Sequence, residues 1–301
     1  MSVLMNAILS IDVEDGINIL MRDCFGISMP PTERVIKNVQ GILDIIEKSN
    51  VRGTFFILGE IASKYPGLVR LIADKGHEIG VHGYNHDQVF KLDRDTFKKE
   101  LQRAKDIIES VIGAQVYGFR APAFSISKST SWALEIIAGR GFEYDSSIMP
   151  AKANRYGWDG FSKETVKLVL PSGRTLFEVP LSVIQVFGKN VPACGGGYLR
   201  YLPYAFTDRA IRKIGKERPA IVYLHPYELD GERYPDFFYN ARGRAKLGVK
   251  LPLLIYRLNK RGVAAKLEKL VRDFNFRPVR ETILDLEQQG RIKTVIIEPQ
   301  D

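Results

Sequence analysis

Short apolar runs recur along this chain, separated by helical patterns, and one after another they end on an ionisable side chain. Ala7 to Ile11 runs into Asp12, Glu78 to Val81 into His82, Tyr117 to Phe119 into Arg120, Gly141 to Tyr144 into Asp145, and Ala220 to Leu224 into His225. The helices between them are equally legible. Val35, Val39, Ile42, Leu43 and Ile46 share a face between Thr32 and Ser49; Phe97, Leu101, Ala104, Ile108 and Ile112 share another, opened by Asp93 and stopped by Gly113. Ile61 to Lys75 and Trp132 to Ala138 add two more helices, and Arg52 to Ile57 another strand. Such alternation implies a parallel α/β sheet with right-handed crossovers, and a barrel of these units collects catalytic side chains at the C-terminal ends of its strands. At 301 residues, 45% of them hydrophobic, the chain suits one such barrel better than two unrelated domains.

The segment from Lys163 to Val186 breaks the rhythm. Val166 to Leu170 and Thr175 to Val179 flank Pro171-Ser172-Gly173-Arg174, turn chemistry that predicts an inserted hairpin, either a wall of a substrate groove or a structural lid. The run Gly195-Gly196-Gly197 has no following Lys-Ser/Thr and so is no phosphate loop. It reads as a mobile or tightly turning loop, with Arg200 a contact for an anionic substrate group.

His82 and His86 are two of only four histidines. On a helical or turn-like backbone, residues i and i+4 share a face, so both rings can reach one metal ion. Asp12, Glu14 and Asp15 crowd three carboxylates at one strand end, which raises their pKa values unless a cation or an arginine compensates. Helix capping explains them poorly, because the next helical pattern begins only near Thr32. Arg120 is placed to hold a carboxylate by a bidentate, charge-assisted contact. His77, at a strand entrance, reads as structural.

Taken in order, Ser10-Ile11-Asp12, His82-x-x-x-His86, Arg120-x-Pro122, Asp145 and Leu224-His225 resemble the motifs of the polysaccharide deacetylase family, also called NodB-homology or carbohydrate esterase 4, over roughly residues 5 to 230. Asp12-Val13-Glu14-Asp15, Gly195-Gly196-Gly197-Tyr198 and His225-Pro226-Tyr227-Glu228 are closer to the subgroup found in exopolysaccharide and lipopolysaccharide gene clusters. The resemblance implies a distorted (β/α)7 barrel that hydrolyses an N-acetyl amide on an amino sugar with a divalent metal, zinc, cobalt or another borderline ion. Asp12 would be the general base, tuned by Arg120, and His82 and His86 would be metal ligands. Glu14 would be the third ligand, with Asp15 the alternate, because Val13 stands where the family has an adjacent aspartate. Asp145 would hold the ring of His225, which protonates the leaving amine. The Ala123 backbone amide would stabilise the oxyanion, and Leu224 would contact substrate. Gly83 and Ala123 depart from the family's Ser/Thr and Tyr. Two other readings are a related non-sugar amide hydrolase or deformylase, and an inactive glycan-binding descendant; retention of Asp12, His82, His86, Arg120 and His225 argues against the latter.

This organisation divides the chain into a catalytic barrel, residues 1–230, with the hairpin near 163–186, and a basic C-terminal extension, 231–301, packed on it. Net charge is +9, and Arg242, Arg244, Lys246, Lys250, Arg257, Lys260, Arg261, Lys266, Lys269 and Arg272 are interleaved with apolar residues. Such a stretch can attract an anionic membrane surface, which would suit a lipid-linked sugar substrate; a helix with a solvated basic face is the commoner outcome. No nucleic-acid recognition motif accompanies it, so no nucleic acid is expected as a partner. No run of about 20 apolar residues predicts a membrane span. The early first strand leaves no room for a cleavable signal peptide, and Cys24 and Cys194 make no disulfide framework. A cytoplasmic location, with or without peripheral membrane contact, is the resulting expectation.

Overall fold

The computed structural model describes residues 6–152, 157–244 and 260–298. Its strands are β1 (Asn6–Val13), β2 (Thr54–Ile57), β3 (Glu78–Val81), β4 (Gly118–Phe119), β5 (Tyr144–Asp145), β6 (Val166–Val169), β7 (Thr175–Glu178), β8 (Val183–Val186), β9 (Lys189–Pro192), β10 (Ala220–Leu224), β11 (Asn275–Arg277) and β12 (Lys293–Ile296). Parallel pairing runs β10-β1-β2-β3-β4-β5-β7, the staves of a distorted barrel.

Strand side chains alternate between faces, and here the two faces meet different partners. Leu9, Ile11, Phe55, Ile57, Ile79, Val81, Phe119 and Leu224 point outward and share an apolar layer with helix residues such as Val39, Ile42, Leu101 and Ile108. Ile8, Phe56, Tyr144, Ile221 and Tyr223 fill the interior. Above them, on the same inward face, come Ser10, Asp12, His82 and Arg120, all buried. The polar site therefore rests on an aromatic floor. Gly118 makes room for it, since a Cβ there would lie 2.1 Å from the Tyr144 ring.

No ladder joins β7 to β10. Their gap is sealed by the chain from Ser182 to Gly195: Ile221 N donates to Ser182 Oγ at 2.8 Å, Tyr223 N to Cys194 O at 3.3 Å, and Gly195 bridges to Tyr223. A Cβ on Gly195 would lie 2.2 Å from the Tyr223 ring, so the backbone can approach that closely only as glycine. The triple glycine is thus a barrel seam that opens the helix Gly196–Tyr201, not a mobile loop.

Two further expectations change. β6 and β7 form the antiparallel hairpin, but β7 also pairs in parallel with β5, so the segment supplies a barrel strand and is not an insertion beside one. The C-terminal residues are likewise part of the sheet: β11 pairs with the start of β1, and β12 pairs with β6. The helix Val263–Asp273 buries Leu267, Leu270 and Val271 in the outer apolar layer.

Much of the basic stretch, including Lys246, Lys250 and Arg257, lies outside the described residues, as do the side chains of Arg242, Arg244 and Arg261. Two of its other cations are engaged within the protein. Lys260 is buried with Nζ donating to Tyr234 Oη at 2.9 Å, and Lys266 Nζ donates to the carbonyls of Leu199 and Leu202, each at 2.8 Å. They serve packing and the end of the Gly196–Tyr201 helix, not a membrane-facing surface. Among the described residues, no helix is long and apolar enough to cross a membrane.

Candidate active site and metal centre

Asp12 rises from the C-terminal end of β1 into the barrel mouth, where Arg120, wholly buried, is its counter-ion. Arg120 Nη1 donates to Asp12 Oδ1 and to Ser10 Oγ, both at 2.8 Å; Nε donates to Ser146 O and Nη2 to Ser146 Oγ, both at 3.0 Å. The contact with Asp12 is therefore single, not bidentate, because the remaining donors are used to fix the guanidinium. Its carbon also stands 4.2 Å from the centre of the Phe56 ring, which favours the buried cation.

Glu14 lies one pleat beyond Asp12. Its Oε1 is 3.0 Å from His82 Nε2 and 3.0 Å from His86 Nε2, and these three donor atoms lie within 4.8 Å of one another. The segment joining the histidines is not helical. Gly83 at φ 80° and His86 at φ 64° turn the chain through the left-handed region, bringing the ring centres to 5.7 Å. His82 Nδ1 is 2.8 Å from the Arg120 carbonyl, which only accepts, so Nδ1 bears the hydrogen and Nε2 turns its lone pair inward. A lone pair facing a carboxylate at this range needs a proton or a cation between them. Two imidazoles and one carboxylate, converging with one tautomer already set, fit a borderline divalent ion with open coordination positions.

His225 completes the cluster. Its Nε2 is 3.9 Å from Asp12 Oδ2 and 3.9 Å from Glu14 Oε1. Burial opposes its charged form, but Glu14, Glu228 and Asp12 outweigh that and raise its pKa to about 9. Burial likewise opposes the charges on His86 and Glu14; their mutual attraction prevails, raising the histidine and, with help from His225, holding Glu14 well below the usual carboxylate range.

Three residues named from the sequence are turned elsewhere. Asp15 caps the helix Gly16–Phe25: its carboxylate accepts from Ile17 N at 3.1 Å and from Thr32 N. Capping, set aside from the sequence, is its observed role, and the donor triad contains Glu14 alone of the two candidates. Asp145 pairs in register with Phe119, on the outward face of β5, and accepts from Ser147 Oγ. The carboxylate beside the His225 ring is instead Glu228, with Oε2 at 3.4 Å from Nδ1. Leu224 is also outward, fully buried under the helices, because Tyr223 and His225 take the inner face.

Arg200 is buried, with Nε 3.4 Å from Glu228 Oε1. Ala123 is exposed at φ 52°, and Phe124 follows at φ 51°, so two non-glycine residues in the left-handed region shape the turn beside Arg120. Gly83, also left-handed, packs there against Pro122, which a Cβ would meet at 3.3 Å. His77 accepts from Gly53 N at 3.3 Å, and burial lowers its pKa to about 4, as befits a neutral packing residue.

Sequence reading assigned no role to Glu228 or Glu178. The former was signalled by its i+3 spacing from His225, that of a capping box. Glu178 opposes Asp145 across β5 and β7. Burial raises both pKa values, and Asp145 helps push Glu178 well above its ordinary range. Both shifts favour a proton held by the pair. A carboxyl whose folded pKa exceeds its unfolded one contributes stability at low pH that is lost as pH rises toward the folded value. Glu178→Gln, which needs no such proton, should therefore exceed the parent in melting temperature near about pH 8, with the gap narrowing toward about pH 4. Scanning calorimetry across that range checks this; a gap independent of pH would mean that no proton is shared.

A parallel α/β barrel with a two-histidine, one-carboxylate centre at its C-terminal mouth is the class that fold and site define. The polysaccharide deacetylase family profile matches residues 33–139, and that of a domain of unknown function, DUF3473, matches residues 146–284. Residues 33–139 are thus similar to polysaccharide deacetylase domains of the NodB-homology type. Among curated relatives, the Bacillus cereus peptidoglycan-N-acetylglucosamine deacetylase is 31% identical over 126 residues, 42% of this chain and 43% of its own. The Helicobacter pylori peptidoglycan deacetylase is 28% identical over 108 residues, 36% of each chain. The chain thus spans less than half the length of these relatives. A Mycobacterium smegmatis protein assigned as a polysaccharide deacetylase superposes over 100% of this chain and 97% of its own, at TM-score 0.66 and 22% identity. PuuE allantoinase does so over 95% and 91%, at 0.57 and 16%. These likenesses establish the fold, a distorted (β/α)7 barrel.

Proposed function

We propose that this protein is a metal-dependent hydrolase that removes an N-acetyl group from an amino sugar during surface-polysaccharide or lipopolysaccharide biosynthesis. One observation carries the reading: Asp12 Oδ2 and His225 Nε2 converge beside the Glu14, His82 and His86 donors in the mouth of the barrel. Named deacetylases among the relatives support it. Glu14, His82 and His86 would hold the divalent ion, zinc or cobalt by the borderline character of the ligands, while the Asp15 carboxylate is engaged in its helix cap. Such an ion supplies Lewis-acid polarisation of the amide carbonyl.

The chain's own residues do the rest. Asp12, held through Oδ1 by Arg120, takes a proton from the attacking water through Oδ2. The Ala123 N–H would supply the dipole for the developing oxyanion, in a turn closed by Phe124 N to Ala121 O and Ser125 N to Pro122 O. His225 gives its Nε2 proton to the departing nitrogen.

The test is product analysis by mass spectrometry with N-acetylhexosamine nucleotides, lipid-linked sugars and oligosaccharides. Acetate release with the matching free amine from one class is expected, and treatment with a chelator should suppress it until Zn²⁺ or Co²⁺ is restored. Hydrolysis of non-sugar amides alone would move the assignment to a different amide hydrolase. Glycan binding without any hydrolysis would make the protein a binder.

A further inference from the structure

We infer that Glu228, and not Asp145, is the carboxylate that positions His225 for proton delivery, an inference that rests on the deacetylase reading above. Glu228 is 1% exposed. It grips His225 twice: Oε2 accepts the His225 backbone N–H at 3.1 Å and faces ring Nδ1 at 3.4 Å. Arg200 holds the other oxygen from 3.4 Å. The ring plane is set separately, by Tyr227 stacked at 4.8 Å and 16° and by the edge of Tyr223 at 5.9 Å and 87°. With Nδ1 turned to Glu228, Nε2 must face Asp12 and Glu14. Asp145 has no share in this, being on the outward face of β5 opposite Glu178.

The chemistry follows from that orientation. As the C–N bond of the tetrahedral intermediate breaks, its electron pair goes to nitrogen, and the Nε2 proton of His225 joins it to give the neutral amine. The Glu228 carboxylate faces Nδ1 at 3.4 Å and favours the arrangement that acts through Nε2. It is a positioning residue and touches no substrate.

A leaving group that needs no proton separates this role from a structural one. Glu228→Gln keeps an oxygen for the His225 N–H and removes the charge. For the N-acetyl sugar substrate its kcat should fall on the order of 10²-fold, within the range that proton transfer contributes, with KM and bound metal unchanged. Hydrolysis of 4-nitrophenyl acetate, whose phenolate departs unprotonated, should change only a few-fold. Glu228→Asp should recover part of the amide activity, and Asp145→Asn should not show the selective loss. Equal loss on both substrates, no loss on either, or the selective loss appearing in Asp145→Asn would overturn the inference. A parent protein that hydrolyses no amide would overturn the deacetylase reading itself, an outcome distinct from all of these.

Discussion

Asp12→Asn should stop amide hydrolysis while the protein keeps its metal. Oδ1 of Asp12 is committed to Arg120 at 2.8 Å, whereas Oδ2 looks across 3.9 Å toward His225 and is the atom available to take a proton. Asparagine preserves the shape but cannot accept that proton, so turnover should drop by roughly 10²–10⁴-fold, the span associated with general-base catalysis. The change also leaves the buried Arg120 without its counter-ion, and removing one partner of a buried pair costs about 3–5 kcal/mol. A lower melting temperature should therefore accompany the loss. The decisive measurement is metal content by elemental analysis beside single-turnover rate: metal retained with turnover gone supports the assignment, whereas full turnover would remove Asp12 from the chemistry.

Glu14→Gln should have the opposite signature. Glu14 supplies the carboxylate donor between two imidazoles, each 3.0 Å from it. Its amide would bind a divalent ion far less well. Outer partners of metal ligands cost roughly 10–100-fold in affinity when mutated, and a direct ligand should exceed that. Asp15→Asn should retain the ion, because its carboxylate caps a helix and asparagine caps nearly as well as aspartate. Titration of the chelator-stripped proteins with Zn²⁺, read by calorimetry, compares the two directly. If Asp15→Asn loses the metal while Glu14→Gln keeps it, the third ligand has been misassigned.

The strand ends were the legible part of this sequence. Asp12, His82, Arg120 and His225 each follow an apolar run, and the parallel barrel gathers them at one mouth. Facing was harder to read. β4 and β5 have only two residues each, too few to show a period of two, so nothing local revealed that Asp145 turns outward. Leu224 was misplaced for another reason: adjacency to His225 in sequence means opposition across the pleat. The helix Gly16–Phe25 was overlooked because Ile19, Leu20 and Met21 form a contiguous apolar block, which hides its period and thus the cap at Asp15. β11 spans three residues and β12 is largely exposed, so neither carries a strong strand signature; their partners, β1 and β6, define them.

The way β1 is held also bears on how the protein comes into being. Its neighbours begin at Thr54, Ala220 and Asn275, and Asn275 Nδ2 closes onto Asn6 Oδ1 across 269 positions of chain. Contacts of such separation form late, because the entropy of closing the intervening loop is lost before any pairing compensates. During synthesis, the strand bearing Asp12 is made before Ala220 and Asn275, the starts of two of its partners. Until then its apolar residues and one edge have no permanent cover, and that interval exposes the nascent chain to misassociation. The site at the barrel mouth is thus among the last features of the molecule to be completed, although Asp12 and Glu14 are made before its other residues.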